Sequence, residues 1–166
     1  IGIGGLGHLG IKIAIAKGAK VTAFTTTESK IKDIESWGAK AVLVKSSDDL
    51  APFRAKFDFA LSTIPYEFEM EPYIAMVKPF GSFTLVGMPI NIRKKTQTLN
   101  LASTKVNLNA SLIGGMKETA EMAEFCAKAG VRPNIVKITG EQINQAWRDV
   151  VAKRARYRFV IDPKSF

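Results

Sequence analysis

The strongest constraint on the fold is a glycine-rich turn at the start of the chain, between a β-rich run and a helical run. Gly2-Ile3-Gly4-Gly5-Leu6-Gly7 has the spacing G-x-G-x-x-G. A turn of this kind, placed after a strand and at the start of a helix, is typical of sheets that bind dinucleotides. The spacing alone is a weak signal, and an ordinary strand-to-helix turn is the alternative.

Short β-rich runs alternate with helical runs over the first two thirds of the chain, the pattern of a parallel sheet with crossover helices. The alternation makes two β-α-β halves, so we predict an α/β fold with a Rossmann-type, doubly wound parallel sheet of strand order 3-2-1-4-5-6. The predicted helices are Gly5–Lys17, Glu28–Trp37 and Glu69–Val77. The predicted strands are Ile1–Ile3, which is truncated, Lys20–Phe24, Ala41–Val44, Phe57–Ser62, Ser82–Val86 and Val106–Ile113.

The pattern changes after Gly114-Gly115. A helix is predicted over Met116–Ala129, a short strand over Ile135–Ile138 and a last strand over Tyr157–Ile161. Between these strands, apolar residues recur at helical spacing, at Ile143, Ala146, Trp147, Val150 and Val151. We therefore divide the chain into a cofactor-binding domain, residues 1–115, and a C-terminal segment, residues 116–166.

The glycines of the turn have separate predicted roles. Gly2 permits the tight turn, Gly4 lets the backbone approach a pyrophosphate, and Gly7 allows the helix to pack close to the sheet. The backbone amides of Gly5 and Leu6 are expected to face the phosphates at the positive end of the helix dipole.

The end of the second predicted strand indicates which dinucleotide binds. NAD-binding folds place an Asp or Glu there, but this chain has Thr25, Thr26 and Thr27, with Lys30 one turn later. Hydroxyl donors and a cation suit a 2′-phosphate, which a carboxylate would repel, so we predict NADP(H) rather than NAD(H). The alternative is that the threonines only cap the next helix, as Thr27 could do.

Composition excludes several other classes of protein. The chain has 24 Lys and Arg against 15 Asp and Glu, but these are scattered, so we predict no nucleic-acid partner. One cysteine, Cys126, and one histidine, His8, are too few for a zinc site within the chain. No apolar run approaches the length of a membrane span, and a cytoplasmic protein is expected. The chain begins in mid-strand, so we expect it to be part of a longer protein.

Several motifs together resemble the zinc-dependent medium-chain alcohol dehydrogenases, in particular their cinnamyl alcohol dehydrogenase-like branch. The resemblance covers essentially the whole chain. It is carried by Gly2–Gly10, Thr25-Thr26-Thr27 with Lys30, Leu85-Val86-Gly87-Met88-Pro89, Ser111-Leu112-Ile113-Gly114-Gly115, Met116-Lys117-Glu118-Thr119 and Arg156-Tyr157-Arg158-Phe159-Val160.

The resemblance also implies roles for individual residues. Thr25, Thr26 and Lys30 would bind the 2′-phosphate, and Thr63 would lie along the cofactor ribose. A third set would surround the nicotinamide carboxamide: backbone groups of Val86, Ser111 and Ile113, with Gly87, Met88 and Leu112 lining the same slot. Core packing is the alternative for Met88 and Leu112. His8 is interpreted as a packing or hydrogen-bonding residue and Cys126 as structural.

By the same resemblance, the intact protein would be an NADP-dependent alcohol dehydrogenase or aldehyde reductase acting on a small alcohol or aldehyde. Its catalytic zinc and the zinc ligands would lie in an N-terminal catalytic domain outside this chain, which would therefore be inactive alone. The C-terminal segment would pack on that domain and, without it, would be partly frayed beyond Gly115. A homodimer through Val106–Leu112 is expected. A catalytically silent NADP-binding module and a zinc-free quinone reductase remain as alternatives.

Overall fold

Parallel β-strands connected by helices make up the chain. The computed structural model describes residues 1–88 and 98–166. In chain order the strands are β1 (Thr22–Thr25), β2 (Lys40–Leu43), β3 (Phe57–Ser62), β4 (Val77–Leu85), β5 (Asn107–Ala110), β6 (Ile135–Ile138) and β7 (Arg158–Ile161). The α-helices are α1 (Gly7–Ala16), α2 (Ile31–Ser36), α3 (Glu71–Ile74), α4 (Thr98–Thr104), α5 (Met116–Lys128) and α6 (Ile143–Val151). Short 3-10 turns cover Glu28–Lys30, Ser47–Phe53, Gly140–Gln142 and Pro163–Ser165.

Every strand pair in the described residues is parallel, which confirms the predicted α/β class. β1 pairs with β2, the sheet β3-β4-β5 has its strands in that order, and β6 pairs with β7. These neighbours agree with the predicted strand order, because β1 and β2 are the second and third predicted strands and β3 to β5 are the fourth to sixth.

The first predicted strand is the exception, because Ile1–Ile3 does not form a strand. It still runs beside β3: the Ile1 nitrogen donates to the Leu61 carbonyl at 2.8 Å, and the Thr63 amide donates to the Ile1 carbonyl at 2.9 Å. Gly2 has a φ of +84°, so the extended backbone ends after one residue. A mostly apolar cavity of about 610 Å³ lies between β1 and β3, beneath α1.

Several predicted boundaries differ from the structure. The predicted helix Glu69–Val77 is only α3, which has four residues, because the chain is already extended at Val77, where β4 begins. The predicted helix Glu28–Trp37 is a 3-10 turn followed by α2, and Gly38 follows it with a φ of +90°, the left-handed conformation that a helix end favours. The sixth predicted strand, Val106–Ile113, shortens to β5.

The hydrophobic core lies between the sheets and the helices that pack on them. Phe83 of β4 and Ile34 of α2 are fully buried, each in a separate apolar cluster that joins strands to helices. The C-terminal segment is different: α5 has no buried residue, and on the apolar stripe of α6 Trp147 is 70% exposed while Ala146 is buried. This agrees with the expected loss of burial in that segment, whose fraying stays a prediction. None of the described helices is long and apolar enough to cross a membrane.

Candidate cofactor site

The carboxyl ends of β3, β4 and β5 bring three predicted site residues side by side. Strand register aligns Ser62 with Leu85, and Leu85 with Ala110. The residues that follow are Thr63, Val86 and Ser111. Backbone hydrogen bonds connect the strand ends: the Val86 amide donates to the Ser62 carbonyl and the Ser111 amide donates to the Leu85 carbonyl, both at 2.9 Å. Ligands of doubly wound sheets bind at this edge.

The glycine turn joins the same edge through close backbone packing. The Thr63 hydroxyl donates to the Gly2 carbonyl. A Cβ on Gly2 would stand 2.9 Å from Cγ1 of Ile64, and a Cβ on Gly87 would overlap the Ile64 carbonyl. Only glycine fits these positions, so the turn, the end of β3 and the end of β4 are held in one place.

Within the turn, a side chain on Gly7 would clash with neighbouring atoms, whereas the space beside Gly4 is free. A Cβ on Gly7 would overlap the Gly2 carbonyl oxygen, which explains why α1 packs so close to the turn. Apart from Gly4 itself and its two chain neighbours, no atom of the described residues lies within 4 Å of the position that a Cβ on Gly4 would take. Leu6 is exposed and stands at the N-cap of α1 without a side-chain capping bond. The turn therefore leaves its backbone accessible at Gly4 and at the start of α1, as a pyrophosphate would require.

The threonines at the end of β1 are not a simple helix cap. Thr25 is buried, and its hydroxyl accepts the Thr27 amide at 3.1 Å. Thr26 and Thr27 are exposed, and Thr27 stands at the N-cap position without a side-chain capping bond. Lys30 is half-buried and donates to the Ile3 carbonyl at 2.7 Å. Lys30 is thus already bound to the glycine turn, with two of its three N–H donors left for other partners.

The predicted nicotinamide slot is open to solvent. Met88 is 64% exposed and Leu112 is 67% exposed, so core packing, the alternative interpretation of both residues, is wrong. Ile113 is exposed as well, while Val86 and Gly87 are half-buried. Pro89, which completes one of the motifs, lies outside the described residues.

His8 is a structural residue that connects α1 to the C-terminal segment. It is fully buried, with Nδ1 3.1 Å from the Gly4 carbonyl, while Nε2 accepts the Asn134 amide at 3.1 Å. This pattern assigns the proton of a neutral ring to Nδ1. Burial lowers the pKa of His8, and the charge of Lys12 acts in the same direction. The geometry agrees with the packing and hydrogen-bonding role expected from the sequence.

The stability of the chain is therefore expected to decrease as His8 becomes protonated. When the pKa of a base is lower in the folded state, the unfolded chain takes up the proton first as the pH falls. The folded state is therefore most stable above the unfolded pKa of the base and becomes less stable below it. We expect the free-energy advantage of the parent chain over His8→Gln, measured by urea unfolding, to shrink from about pH 7.5 to about pH 5.5. His8 is the only histidine in the chain. Subtracting the pH dependence of the variant from that of the parent chain removes the contributions of the other titrating groups. A constant difference across that range would contradict the assignment.

Sequence reasoning missed three residues that the C-terminal segment brings to the site. Tyr157 is buried, stacks on His8 with ring centroids 5.1 Å apart and donates its hydroxyl to Asp33 at 2.7 Å. Arg156 donates to Ser29 and Asp33, and a Cβ on Gly5 would be 3.9 Å from Nη2 of Arg158. The motif that contains these residues was noted, but no local pattern places it beside the glycine turn.

The residues present fit a dinucleotide but not a metal ion. The backbone is accessible at Gly4, with the Lys30 ammonium on the neighbouring Ile3 carbonyl and the Arg158 guanidinium near Gly5, and such donors suit phosphates. By contrast, the described parts of the chain contain no group of three or more His, Cys, Asp or Glu residues that could hold a metal. Both ring nitrogens of the only histidine are engaged within the protein.

Comparisons with known proteins find relatives over most of the chain. Residues 5–128 match the zinc-binding dehydrogenase family. The aldehyde reductase YahK of Escherichia coli (strain K12) is 39% identical, with 99% of this chain and 48% of that protein covered. The NADP-dependent alcohol dehydrogenase C 1 of Mycolicibacterium smegmatis is 37% identical, with 99% and 47% covered. The chain thus spans about half the length of the curated relatives it matches.

Two solved structures are similar over almost all of the chain. A cinnamyl alcohol dehydrogenase from Sorghum bicolor superposes with a TM-score of 0.91 at 27% identity, with 97% of this chain and 46% of that chain covered. The CAD from Helicobacter pylori, solved in complex with NADP(H), superposes with a TM-score of 0.87 at 33% identity, with 99% and 47% covered.

Proposed function

Because the chain belongs to the zinc-binding dehydrogenase family, we propose that it is the cofactor-binding part of an NADP-dependent alcohol dehydrogenase or aldehyde reductase. Residues 1–115 would be the NADP-binding domain, and residues 116–166 the segment that also packs on a separate catalytic domain. The apolar face that α6 leaves exposed supports this division, since Trp147 and Val151 would be covered by such a domain.

The observation that carries the proposal is the arrangement at the end of β1. Thr25 stands where a ribose-binding carboxylate would be expected, and Thr26 and Thr27 are exposed after it. The ammonium of Lys30, which follows in the next turn, is bound to the Ile3 carbonyl of the glycine turn. Hydroxyl donors and a cation attract the 2′-phosphate that distinguishes NADPH from NADH. A relative named as NADP-dependent and a similar structure solved with NADP(H) support the same cofactor.

In this proposal the chain binds and orients the cofactor. When bound, NADPH supplies a hydride for reduction of a carbonyl group. The accessible turn at Gly4 would take the pyrophosphate, with the amides of Gly5 and Leu6 at the positive end of α1. Thr63 would lie along the ribose, and backbone groups of Val86, Ser111 and Ile113 would hold the carboxamide, in the slot lined by Gly87, Met88 and Leu112.

Zinc would act from outside this chain. One histidine and one cysteine do not provide the three or four ligands that a zinc site needs. We therefore propose that Cys and His ligands of a catalytic zinc lie in the part of the protein that the chain does not include, and that the chain alone is inactive. Its substrate would be a small alcohol or aldehyde.

We also propose that the protein is a cytoplasmic homodimer that pairs through β5. Among the described residues β5 is the end strand of its sheet, so one of its edges has no strand partner in that part of the chain. This edge is shorter and more polar than expected, because β5 has four residues and two of them are asparagines. Asn107 and Asn109 are both hydrogen bonded to β4.

The experiment that tests the cofactor is a paired fluorescence titration of the chain with NADPH and NADH at one ionic strength. We expect NADPH to bind at least about tenfold more tightly, a difference of about 1.4 kcal/mol. Lys30→Gln should reduce that preference, because it removes a cation next to the 2′-phosphate. Lys32→Gln is the matched control, since Lys32 lies two residues later, in α2, is exposed, and is expected to change neither affinity. Equal affinities in the parent chain would contradict the NADP assignment.

A further inference from the structure

A second cation lies beside the proposed 2′-phosphate site, and it comes from the far end of the chain. Arg156 donates through Nη2 to the Ser29 hydroxyl at 2.7 Å and through Nη1 to the Ser29 carbonyl at 3.2 Å. Ser29 lies in the turn that follows Thr25, Thr26 and Thr27. The guanidinium is therefore placed at the same end of β1 as the three threonines and Lys30.

The position of Arg156 is fixed by its neighbour rather than by its own ion pair. The Tyr157 ring is buried against His8 and Trp37, and its hydroxyl donates to the Asp33 carboxylate. Arg156 reaches the same Asp33 oxygen at 3.2 Å, with both side chains of that pair 41% exposed. An ion pair this exposed contributes little to stability. A stabilising role therefore does not explain why a guanidinium lies at this position.

The charges at this place are unbalanced. Two cations, Lys30 and Arg156, stand around one carboxylate, Asp33. Burial lowers the pKa of Lys30, and the charge of Arg156 lowers it further. A dianionic phosphate would relieve the repulsion between the two cations, and the planar guanidinium can bind two phosphate oxygens at once.

We infer that Arg156 is a specificity-determining residue that binds the 2′-phosphate of NADPH together with Lys30 and the hydroxyls at the end of β1. The inference rests on the proposed NADP site and deepens it. The C-terminal segment would then contribute directly to cofactor choice. Asp33, whose carboxylate lies beside the guanidinium, would oppose phosphate binding.

The test compares two variants with opposite expected effects. Arg156→Gln should weaken NADPH binding by about tenfold or more, the usual scale for a lost hydrogen bond to a charged group, and should change NADH binding less than about twofold. Asp33→Asn should strengthen NADPH binding and leave NADH binding unchanged, because it removes a negative charge beside the phosphate while keeping an acceptor for Tyr157. A gain in affinity cannot come from a damaged fold.

Arg154→Gln is the matched control, because Arg154 lies two residues away, is exposed and pairs with Asp149 instead. It should leave both affinities unchanged. An equal loss of NADPH and NADH binding in Arg156→Gln, or no change in either, would overturn the inference. If the parent chain itself bound NADPH and NADH equally, the proposed cofactor would be wrong, and the inference would fall with it. The parent titration thus separates the two failures.

Discussion

Replacing Gly7 with alanine is expected to destabilise the chain by about 3 kcal/mol, the upper part of the range for forcing an extra methyl group into a packed site. The new Cβ would overlap the Gly2 carbonyl oxygen and would stand 3.2 Å from the Thr63 hydroxyl. Neither neighbour can move freely, because that hydroxyl and that carbonyl are hydrogen bonded to each other. α1 would have to shift away from the turn, and cofactor binding would be lost with it.

Gly10→Ala is the matched control in the same helix. Its Cβ would meet only Cδ2 of Leu61, at an ordinary contact distance of 3.5 Å. Alanine is a better helix former than glycine, so this variant should be more stable than the parent by about 0.5 kcal/mol. Urea unfolding followed by the fluorescence of Trp37, which packs beside His8 near α1, measures both changes. Similar stabilities for the two variants would show that the close approach at Gly7 is not required.

Replacing Tyr157 with alanine is expected to cost about 4 kcal/mol, as for other large buried aromatic side chains. The ring stacks on His8, meets Trp37 edge to face at 5.0 Å, and belongs to the same apolar cluster as Ile3 and Ile34. Burial and then the nearby Asp33 carboxylate raise the pKa of Tyr157, so the hydroxyl remains a hydrogen-bond donor. Without this ring the C-terminal segment loses a buried contact with the apolar cluster that contains Ile3 and Ile34.

Two other variants separate the contributions of Tyr157. Tyr157→Phe keeps the ring and should cost only about 1 kcal/mol, the usual value of one hydrogen bond. Trp147→Ala, at a residue that is 70% exposed, should change stability by less than about 0.5 kcal/mol. Amide hydrogen exchange should show faster exchange beyond Gly115 in Tyr157→Ala alone. A cost as small as that of Trp147→Ala would mean that Tyr157 does not anchor the segment.

The sequence predicted best those elements whose cause is local. The strands over Phe57–Ser62 and Ile135–Ile138 have the predicted bounds, because a short apolar run between polar or turn residues is a local property. Gly38 adopts the left-handed conformation expected after a helix. The helix predicted over Glu69–Val77 is too long at both ends, since only Glu71–Ile74 is helical. At its C-terminal end, apolar residues fit either a helix or a strand, and Val77 pairs with β3 instead.

The same distinction between local and long-range causes applies to the site residues. Gly2 is expected to permit the tight turn and Gly7 to allow close packing of the helix, and both roles follow from the missing side chain. The φ of +84° at Gly2 and the contacts around Gly7 agree with these two predictions. The sequence could not decide whether Met88 and Leu112 pack in the core, since a Met or Leu after a strand is compatible with either position. Both residues are exposed, because they lie past the ends of their strands, at the open edge of the sheet.

Three features could be read from the sequence alone: the alternation of strands and helices, the glycine turn and the absence of a carboxylate at the end of β1. Each of these depends on residues within a few positions of one another, where sterics and hydrophobic period act directly. By contrast, the contacts of His8 with Asn134 and of Arg156 with Ser29 and Asp33 join residues 123 to 127 positions apart, and they are visible only in the folded chain. Such contacts depend on how distant segments pack together in the folded protein, and no local sequence pattern predicts that packing.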